Sequence, residues 1–582
     1  MNRDLPRGSP WALLVLYGLL ALGWSLSIPL GEAPDEPGHY NYARILFGEL
    51  RLPRAEEEHE AFQPPLYYAL AAPLAGLGEV TSLPLKANAD FSLEPGGTAN
   101  LLLHSGEEVF PWSGWAQGWH LVRVVSVVCG AVTVYGVYRL GLIISGRRRE
   151  VALLGAAALV LAPQFTLVHG AASNDALTLA LAALLAAELA LVIERGCPRR
   201  RLVALGALWG LGILSKASML AAGVGVAAAL WLGRPRGGPG SGAARVGRRL
   251  LVVGGIAALV SGWWYVRNAV VFGDPLGWEL IFQINEPRRG PVNWPEHLWG
   301  LHRSYWLDYV GMRLPEWLYV ALLLPLALSV CGLAVTLARL GRRPGRKTLP
   351  LAVGLGTHVL AFAVSWMRWT LAVSGTGQAR LLYPGLAVVA PFLAWGTLGV
   401  ASGSRRRRLA VTAVGLLATL NVYGLLAGAL PVFGPAQRVA LSEVPHLGER
   451  IVFGGQIELM AFDHVQAVKA GGTLQVRTWW RLLTPVGDDV WLTLRLASAS
   501  GEVPVWKRGS PTAGRDTTDR WPLGEALHAV HSLWLPEDLP AGTYTIEAGL
   551  QAFGEDLWWP AAGRAGETRE LWRLGEVEVL SP

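Results

Sequence analysis

Long apolar runs, each near the roughly 20 residues that cross a bilayer, alternate with short polar segments through most of the chain. The apolar segment 64–77 is short for a span, so we expect it to lie in the membrane interface or to re-enter the membrane. The longer runs predict eleven spanning helices, at 11–30, 119–145, 150–168, 175–194, 201–215, 218–233, 250–266, 316–338, 349–367, 381–401 and 409–430.

The arginines predict which side of the membrane each loop occupies. If 64–77 does not cross, every arginine cluster falls on the same side, which the positive-inside rule makes cytoplasmic. We therefore predict a cytoplasmic N-terminus and long outer loops at 31–118 and 267–315. The clusters lie at 147–149, 195–201, 234–249, 339–347 and 405–408.

The C-terminal region has a different period, because apolar residues there occupy every second position. This alternation, interrupted by Gly, Pro and Asp turns, predicts an extracytoplasmic β-sandwich over 434–582, after a transmembrane domain of residues 1–433. We expect Trp480 and Trp534 in the core of the sandwich. The clearest alternating runs are 474–482, 492–496 and 544–550.

The composition excludes several classes of protein. Of 582 residues, 52% are hydrophobic and 16% are charged, and the mean hydropathy is +0.35. Soluble domains carry about 25% charged residues, so the composition argues against a soluble protein and for many membrane spans, and it excludes a disordered chain. The net charge of +7 comes mostly from the clustered arginines that set the topology, which excludes nucleic acid as a partner. The three cysteines are too few and too scattered for a disulfide framework or a metal site.

An acid pair, Asp35 and Glu36, follows the first predicted helix, with His39 close behind. Carboxylates at the mouth of a membrane helix are costly, and one of them could serve as a general base toward a hydroxyl group. The simpler alternative is that Asp35 caps a helix that begins near Pro37. Capping explains one acid but leaves Glu36 and His39 unexplained, so we favour a functional site.

Four cations are predicted at the outer ends of their helices, against the overall charge bias. Together they would suit an anionic lipid phosphate, which needs its charge neutralised as it leaves. The alternative for each cation is a side chain that only reaches toward the membrane interface. These residues are Arg123, Lys216, Arg267 and Arg380.

Ser173, Asn174 and Asp175 open the helix predicted at 175–194, so capping is the default interpretation for all three. The histidines of the predicted outer side lack helical ligand spacing, so the sequence predicts no metal ligands. A divalent metal stays open as a cofactor.

Short motifs in a fixed order resemble those of GT-C fold glycosyltransferases, nearest the bacterial protein O-mannosyltransferases and aminoarabinose transferases. The first outer loop carries DEPGHYNYAR at 35–44 and QPPLYY at 63–68. The resemblance covers about residues 10–430, and the order of the motifs makes it specific. Further similar stretches lie at 123–134, 173–175, 267–275 and 377–384.

The resemblance implies an inverting transferase that uses a polyprenyl-phosphate sugar and an extracytoplasmic acceptor, which is a protein, a lipid or an envelope glycan. In that family the first acid of the pair carries the catalysis, which assigns the role to Asp35 with Glu36 in support. The donor phosphate would be bound by Lys216, Arg267, Arg380 and Arg123. The residues that would support the substrate site are His39, Tyr42, Gln63, Tyr67, Asn174 and Asp175.

One departure from the family concerns the donor. Aminoarabinose transferases have an acid and a lysine directly before the Pro-Pro-Leu motif, where this chain has Phe62 and Gln63. The phosphate contact must therefore come from elsewhere, as Lys216, Arg267 or Arg380 could provide, and an aminoarabinose donor is not implied.

The sequence thus predicts a helical, polytopic membrane domain of GT-C type with a C-terminal β-sandwich, in a bacterial plasma membrane. A lipid-linked sugar flippase or another transporter is one alternative. Transporters place ionisable residues at the midplane of broken helices, whereas here they gather at the predicted outer edge. The second alternative is an envelope structural protein whose sandwich binds glycan, in which case Asp35 would be dispensable.

Overall fold

The computed structural model describes residues 10–581, apart from 82, 94–97, 234–241, 342–347, 488, 555–556 and 564–565. The chain forms two compact units. The helical unit runs to Ile28 and continues over Ala33–Leu83 and Ser113–Ala429. The β-rich unit contains Pro29–Glu32, Pro84–Trp112 and the chain from Leu430 onward. Part of the long segment 31–118 therefore folds with the β-rich unit.

The helical unit contains sixteen α-helices within the described ranges. They are α1 (Trp11–Ser27), α2 (Glu36–Gly48), α3 (Leu66–Ala75), α4 (Gly114–Ile144), α5 (Arg149–Val160), α6 (Pro163–His169), α7 (Asn174–Arg195), α8 (Arg199–Ser215), α9 (Ala222–Leu232), α10 (Gly242–Phe272), α11 (Trp278–Ile284), α12 (Trp294–Trp306), α13 (Glu316–Gly341), α14 (Thr348–Ala372), α15 (Tyr383–Gly399) and α16 (Gly403–Tyr423).

Each of the eleven predicted spans coincides with helix. In the described part of the chain, seven helical segments are long and apolar enough to cross a membrane: α4, α7, α10, α13, α14, α15 together with the helical turn before it (Ala379–Gly399), and α16 together with the turn after it (Gly403–Ala429). The pair α5 and α6 forms an eighth candidate span that bends by 68°, because Pro163 cannot continue the preceding helix. The sidedness of the loops stays a prediction, and 234–241 and 342–347, within two predicted cytoplasmic clusters, lie outside the described residues.

Helix α7 is the most enclosed of the long helices and positions one of the candidate acids. Its sequence is apolar on all sides and rich in alanine, which is typical of a helix surrounded by other helices. Glycine allows close packing against α4, since a Cβ at Gly136 would lie 2.9 Å from that of Ala183. This packing fixes the N-terminal end of α7, where Asp175 lies.

Sixteen strands complete the described structure. They are β1 (Lys86–Ala87), β2 (Leu102–Leu103), β3 (Asp308–Tyr309), β4 (Met312–Arg313), β5 (Gln437–Val439), β6 (Ile451–Phe453), β7 (Ile457–His464), β8 (Ala467–Lys469), β9 (Thr473–Leu482), β10 (Val490–Ala497), β11 (Val505–Gly509), β12 (Ala526–Trp534), β13 (Gly542–Ala552), β14 (Ala561–Ala562), β15 (Thr568–Arg569) and β16 (Trp572–Leu580).

The β-rich unit contains the predicted C-terminal sheets. One sheet has the strand order β11-β10-β13-β16-β8 and the other β15-β14-β6-β7-β9-β12-β5, with antiparallel pairing except between β16 and β8. The alternating positions of β9, β10 and β13 are buried as predicted, and Trp480 lies in the core. The prediction for Trp534 is wrong: its side chain is 63% exposed, because Leu533 occupies the inward position at the end of β12.

Candidate active site

Asp35 lies between α1 and α2 in a left-handed backbone conformation, with φ of 59°. After glycine, aspartate and asparagine adopt this conformation most readily. The side chain makes no capping hydrogen bond to α2, so the capping alternative is wrong. Instead, Oδ2 of Asp35 accepts a hydrogen bond from Arg380 Nη2 at 2.8 Å.

Arg380 connects Asp35 to a second acid and a second cation. Its Nη1 donates to Oδ2 of Asp175 at 3.3 Å, and Oδ1 of Asp175 accepts from Lys216 Nζ at 2.5 Å. We call these four alternating charges, Asp35, Arg380, Asp175 and Lys216, the charge row. Because both cations are paired inside the protein, they do not simply reach toward the membrane interface.

The two residues at the ends of the charge row are more exposed to solvent than the two in the middle. Arg380 and Asp175 are each 10% exposed, whereas Lys216 is 21% exposed and Asp35 is 45% exposed. Asp35 is therefore the acid of the row that a substrate can approach most easily.

The Ser173–Asp175 segment combines a cap with site residues. Oγ of Ser173 accepts from the Asp175 N–H at 3.2 Å, which is a helix cap. Asp175 itself joins the charge row, and Nδ2 of Asn174 donates to the Tyr68 hydroxyl at 3.4 Å. Capping, expected for all three residues, is confirmed only for Ser173.

Glu36 faces away from the charge row and binds Arg123 through two hydrogen bonds of 2.7 Å. Both side chains are fully buried. The Arg123 guanidinium also donates to the carbonyls of Ser25 and Ile28, and Glu36 accepts from the Ala172 N–H at 2.9 Å. The predicted phosphate contact of Arg123 is not supported, because its donors bind groups inside the protein. Glu36 therefore supports the site only structurally, because it links α2 to Arg123 of α4 and to the main chain at Ala172.

A second group of titratable residues surrounds Asp35. Asp35, His39 and Glu60 each offer a nitrogen or oxygen atom within 4.8 Å of the others. We call these three residues the Asp35 cluster. His39 is 2% exposed and Glu60 is 7% exposed, so Asp35 is the member that faces solvent.

The environment changes the pKa values of all three residues. Burial would raise the pKa of Asp35, but the charges of Arg380 and His39 outweigh it and lower the pKa well below its usual value. Burial lowers the pKa of His39 to about 4. Burial, together with the negative charge of Asp35, raises the pKa of Glu60 to about 7. At neutral pH Asp35 is therefore ionised and His39 is neutral.

Three tyrosines, Tyr42, Tyr67 and Tyr68, pack beside the Asp35 cluster. The Tyr68 hydroxyl lies 2.9 Å from Nδ1 of His39, and its ring stacks on Tyr42 with centroids 3.7 Å apart. The Tyr67 hydroxyl lies 2.8 Å from Ser126 Oγ and accepts from the Ser173 N–H. Tyr67 thus holds α3 against α4 and the start of α7, while Tyr42 and Tyr68 orient His39.

The two remaining predicted residues have weaker links to the site. Gln63 offers its main-chain carbonyl to the Tyr42 hydroxyl at 3.4 Å. Arg267 donates to Asn268 Oδ1 at 3.0 Å and lies 5.0 Å from the Trp264 ring centre. These contacts do not bring Arg267 into the charge row.

Sequence reasoning missed Glu60, Tyr68 and Ser126. Glu60 stands in an acidic run, EEEHE at 56–60, that gives no sign of which acid turns inward. Tyr68 was visible only as part of the QPPLYY segment. The contact between Ser126 and Tyr67 depends on the packing of α3 against α4, and no local pattern encodes it.

Fold and site define a polytopic membrane protein whose apolar helices carry paired charges around one exposed carboxylate. Residues 115–238 match the family model of dolichyl-phosphate-mannose-protein mannosyltransferases, and this match confirms the resemblance found in the sequence. No curated protein sequence matches the chain.

Several solved structures match parts of the chain, at low identity and with TM-scores below 0.5. ArnT from Cupriavidus metallidurans, solved in an apo state and bound to undecaprenyl phosphate, is 16% identical in the apo state, with a TM-score of 0.43 over 72% of this chain and 73% of that one. The Archaeoglobus fulgidus oligosaccharyltransferase is 14% identical, with a TM-score of 0.38 over 72% of this chain and 52% of that one. The C-terminal domain of Wzt is 13% identical, with a TM-score of 0.19 over 25% of this chain and 90% of that domain.

Proposed function

We propose that this chain is an integral-membrane glycosyltransferase that moves a sugar from a polyprenyl-phosphate donor to an acceptor outside the cytoplasm. The observation that carries the proposal is the charge row, in which an exposed, ionised carboxylate lies 2.8 Å from an arginine that leads to a second cation. Transfer of a sugar from a lipid phosphate needs a base for the acceptor and positive charge for the leaving group. The match to the mannosyltransferase family supports the same class of donor.

Asp35 would act as the base. The acceptor hydroxyl oxygen attacks the anomeric carbon, the bond from that carbon to the phosphate oxygen breaks, and the hydroxyl proton passes to the carboxylate. One displacement from the face opposite the phosphate inverts the anomeric centre. The leaving phosphate is a weak base, so no strong general acid is required.

Arg380 and Lys216 would bind the donor phosphate. In the free protein both cations neutralise Asp35 and Asp175. A phosphate that shares these cations would weaken their hold on Asp35 and so raise its basicity when the donor is bound. Arg267, half-buried at the end of α10, is proposed as a further phosphate contact. The loops that carry these groups would face the extracytoplasmic side.

A lipid-linked sugar flippase needs the same affinity for the donor but no acceptor chemistry. Proteoliposomes that contain the purified chain separate the two functions. The assay supplies radiolabelled polyprenyl-phosphate hexoses and pentoses as donors, and extracted envelope proteins, lipids and glycans as acceptors. We expect label in one acceptor class and release of unglycosylated polyprenyl phosphate. Movement of donor across the bilayer with no labelled acceptor would contradict the proposal.

Asp463 provides a matched control for the loss of a carboxylate, because it is an exposed acid on β7 that pairs with Arg477. Asp35→Asn should abolish labelling of the acceptor, whereas Asp463→Asn should label at the wild-type rate. Mass spectrometry of envelope glycans and glycoproteins from cells that produce either variant would identify the natural acceptor.

A further inference from the structure

Arg380, the central cation of the charge row, follows a short loop that contains two glycines. We call residues 373–379, between the end of α14 and Arg380, the Arg380 loop. Gly375 adopts φ of 71°. Glycine loses more conformational freedom on folding than any other residue, so a loop with Gly375 and Gly377 is not fixed by its own sequence. Its position must come from contacts with other parts of the protein.

Ser304, in the last turn of α12, holds the end of the Arg380 loop by its main chain. Its Oγ accepts a hydrogen bond from the Ala379 N–H at 2.9 Å and donates to the Gly377 carbonyl at 3.1 Å. A longer contact of 3.4 Å joins the same hydroxyl to the Leu301 carbonyl of its own helix. A hydroxyl has one proton to donate, so the shorter contact is favoured. Ser304 thus binds the main chain at two points directly before the arginine.

Gln378 and the two acids of the charge row orient the guanidinium itself. Oε1 of Gln378 accepts from Arg380 Nε at 2.8 Å, and Nε2 of the same amide donates to the Gly375 carbonyl at 3.0 Å. Nη1 and Nη2 bind Asp175 and Asp35. Every nitrogen of the guanidinium therefore has a partner, and a small shift of the loop would change its distances to both acids.

The helix that carries Ser304 is itself anchored in the helical unit. The Tyr305 hydroxyl donates to the Ala158 carbonyl of α5 at 2.6 Å. Tyr305 and Trp306 also pack against the buried hydrophobic cluster that α1, α5 and α6 contribute to. The Ser304 hydroxyl therefore has a fixed position from which it can order the loop.

The start of the Arg380 loop is held by another residue of the segment 267–315. Arg288 donates through Nε to the Thr370 carbonyl at 2.6 Å and through Nη2 to the Val373 carbonyl at 3.0 Å. The loop is thus held at both ends, by Arg288 at its start and by Ser304 beside the arginine.

We infer that Ser304 is a positioning residue for the proposed transfer: through the loop main chain it sets the distance of the Arg380 guanidinium from Asp35 and from the donor phosphate. Ser304 does not have to touch the substrate for this role. The effect on the reaction rests on the proposed function, whereas the ordering of the loop rests on the hydrogen bonds alone. The two parts can therefore be tested separately.

Loss of the Ser304 hydroxyl should loosen the contact between Arg380 and Asp35. Burial raises the pKa of Asp35, and the charge of Arg380 is the largest of the contributions that lower it. A more distant Arg380 would therefore raise this pKa. Because a base must be ionised to accept a proton, the activity of the variant would be lost at a higher pH on acidification than that of the wild type.

Ser304→Ala in the full chain, purified in detergent, tests both parts. Hydrogen–deuterium exchange of peptides that cover 373–382 should be faster by about tenfold, because the Ala379 N–H loses its acceptor. The second readout is kcat/KM for the radiolabelled polyprenyl-phosphate hexose or pentose that labels an acceptor. It should fall by about 10- to 100-fold, and the acidic limb of its pH profile should move up by about one pH unit.

Ser261→Ala is the matched control. Ser261 is 3% exposed against 4% for Ser304, and its hydroxyl donates to the Ala257 carbonyl within α10. This variant should keep the wild-type exchange and pH profile. The other charged and titratable groups around Asp35 are the same in every variant, so a difference between profiles reports on Arg380. These groups are Lys216, Asp175, His39, His59 and Glu60.

Unchanged exchange of 373–382 in Ser304→Ala, or faster exchange with an unchanged pH profile, would overturn the inference. Size-exclusion profiles and unfolding midpoints establish that the variant is folded. If it is not, Ser304→Cys decides, because a thiol is a weak donor and acceptor and should produce the same changes at smaller size. Wild-type protein that transfers no sugar would contradict the proposed function, and the exchange rates would then decide whether Ser304 orders the loop.

Discussion

Asp35 and Glu36 are adjacent in the chain and each pairs with an arginine, yet the two pairs differ in kind. Glu36 and Arg123 are fully buried, and Arg123 also donates to two main-chain carbonyls. Asp35 is 45% exposed and shares Arg380 with a second acid. An enclosed pair can only hold segments together, whereas an exposed, shared pair offers groups that a substrate can reach. One acid of the motif is thus structural and the other is available for chemistry.

The largest effect on stability is expected from Glu36→Gln. Arg123 would remain buried without its anionic partner, and breaking a buried pair in this way costs about 3–5 kcal/mol of unfolding free energy. Thermal unfolding in detergent measures the effect. Glu49→Gln, which removes an exposed partner of Arg51, serves as the control and should shift the midpoint little. Equal shifts for the two variants would remove the distinction between enclosed and exposed pairs.

A third acid of the same segment, Glu32, extends the comparison to the β-rich unit. It is fully buried and accepts from the N–H groups of Leu101 and Leu102 at 2.9 Å and from His104 at 3.0 Å. Burial alone would lower the pKa of His104, but hydrogen bonds and charges from Glu108 and Glu32 raise it to about 9. Glu32 is therefore a second enclosed, structural acid.

His104 makes the stability of this unit depend on pH. Its folded pKa lies above its unfolded value, so the protonated ring stabilises the fold fully below about pH 6.5, and this contribution is lost as the pH rises through about 9. The loss amounts to about 3 kcal/mol at most. Unfolding midpoints of the full chain, followed by tryptophan fluorescence at pH 6 and pH 9.5, should fall with pH. His104→Gln should remove this part of the pH dependence, and an unchanged dependence would contradict the assignment.

Lys216→Met tests the other end of the charge row. Loss of this cation should lower kcat/KM for the donor by about 10- to 100-fold, because one proposed phosphate contact is removed. The unfolding free energy should change by only about 1 kcal/mol, since Asp175 keeps its contact with Arg380. Lys469→Met, at an exposed lysine on β8, is the control. A variant that loses stability but keeps full transfer would show that Lys216 is structural, as Glu36 is.

The smallest effect is expected on the stability of Asp35→Asn. Asparagine tolerates the left-handed conformation of residue 35, so the unfolding free energy should stay within about 0.5 kcal/mol of wild type. Asp35→Ala should be destabilised by about 1 kcal/mol, because alanine does not favour that conformation. A large loss of stability in Asp35→Asn would place Asp35 with the structural acids.

Most of the fold could be predicted, because long apolar runs and period-two alternation are local signals. The eleven helical segments and the inward face of β9 follow from them directly. Trp534 was misassigned because aromatic residues at strand ends can face either side, and only pairing of Leu533 with Leu474 settles the register.

The site could be predicted only in part. Motif order pointed to Asp35 and Arg380, and a position against the overall charge bias pointed to Lys216, but the sequence does not show that Asp175 joins the two cations. Arg123 and Arg380 look alike in sequence, since both are arginines at helix ends. Only the packing of the helices shows that Arg123 is enclosed with Glu36, whereas Arg380 is shared between Asp35 and Asp175.

The central claim is that Asp35 is the acid that takes part in the reaction and Glu36 is the acid that holds the fold. The most direct test is the transfer rate of Asp35→Asn and Glu36→Gln, each divided by its folded fraction. We predict a fall of about 10²- to 10⁴-fold for Asp35→Asn and a rate close to wild type for folded Glu36→Gln. Full transfer by folded Asp35→Asn, or an equal loss in both variants, would contradict the account.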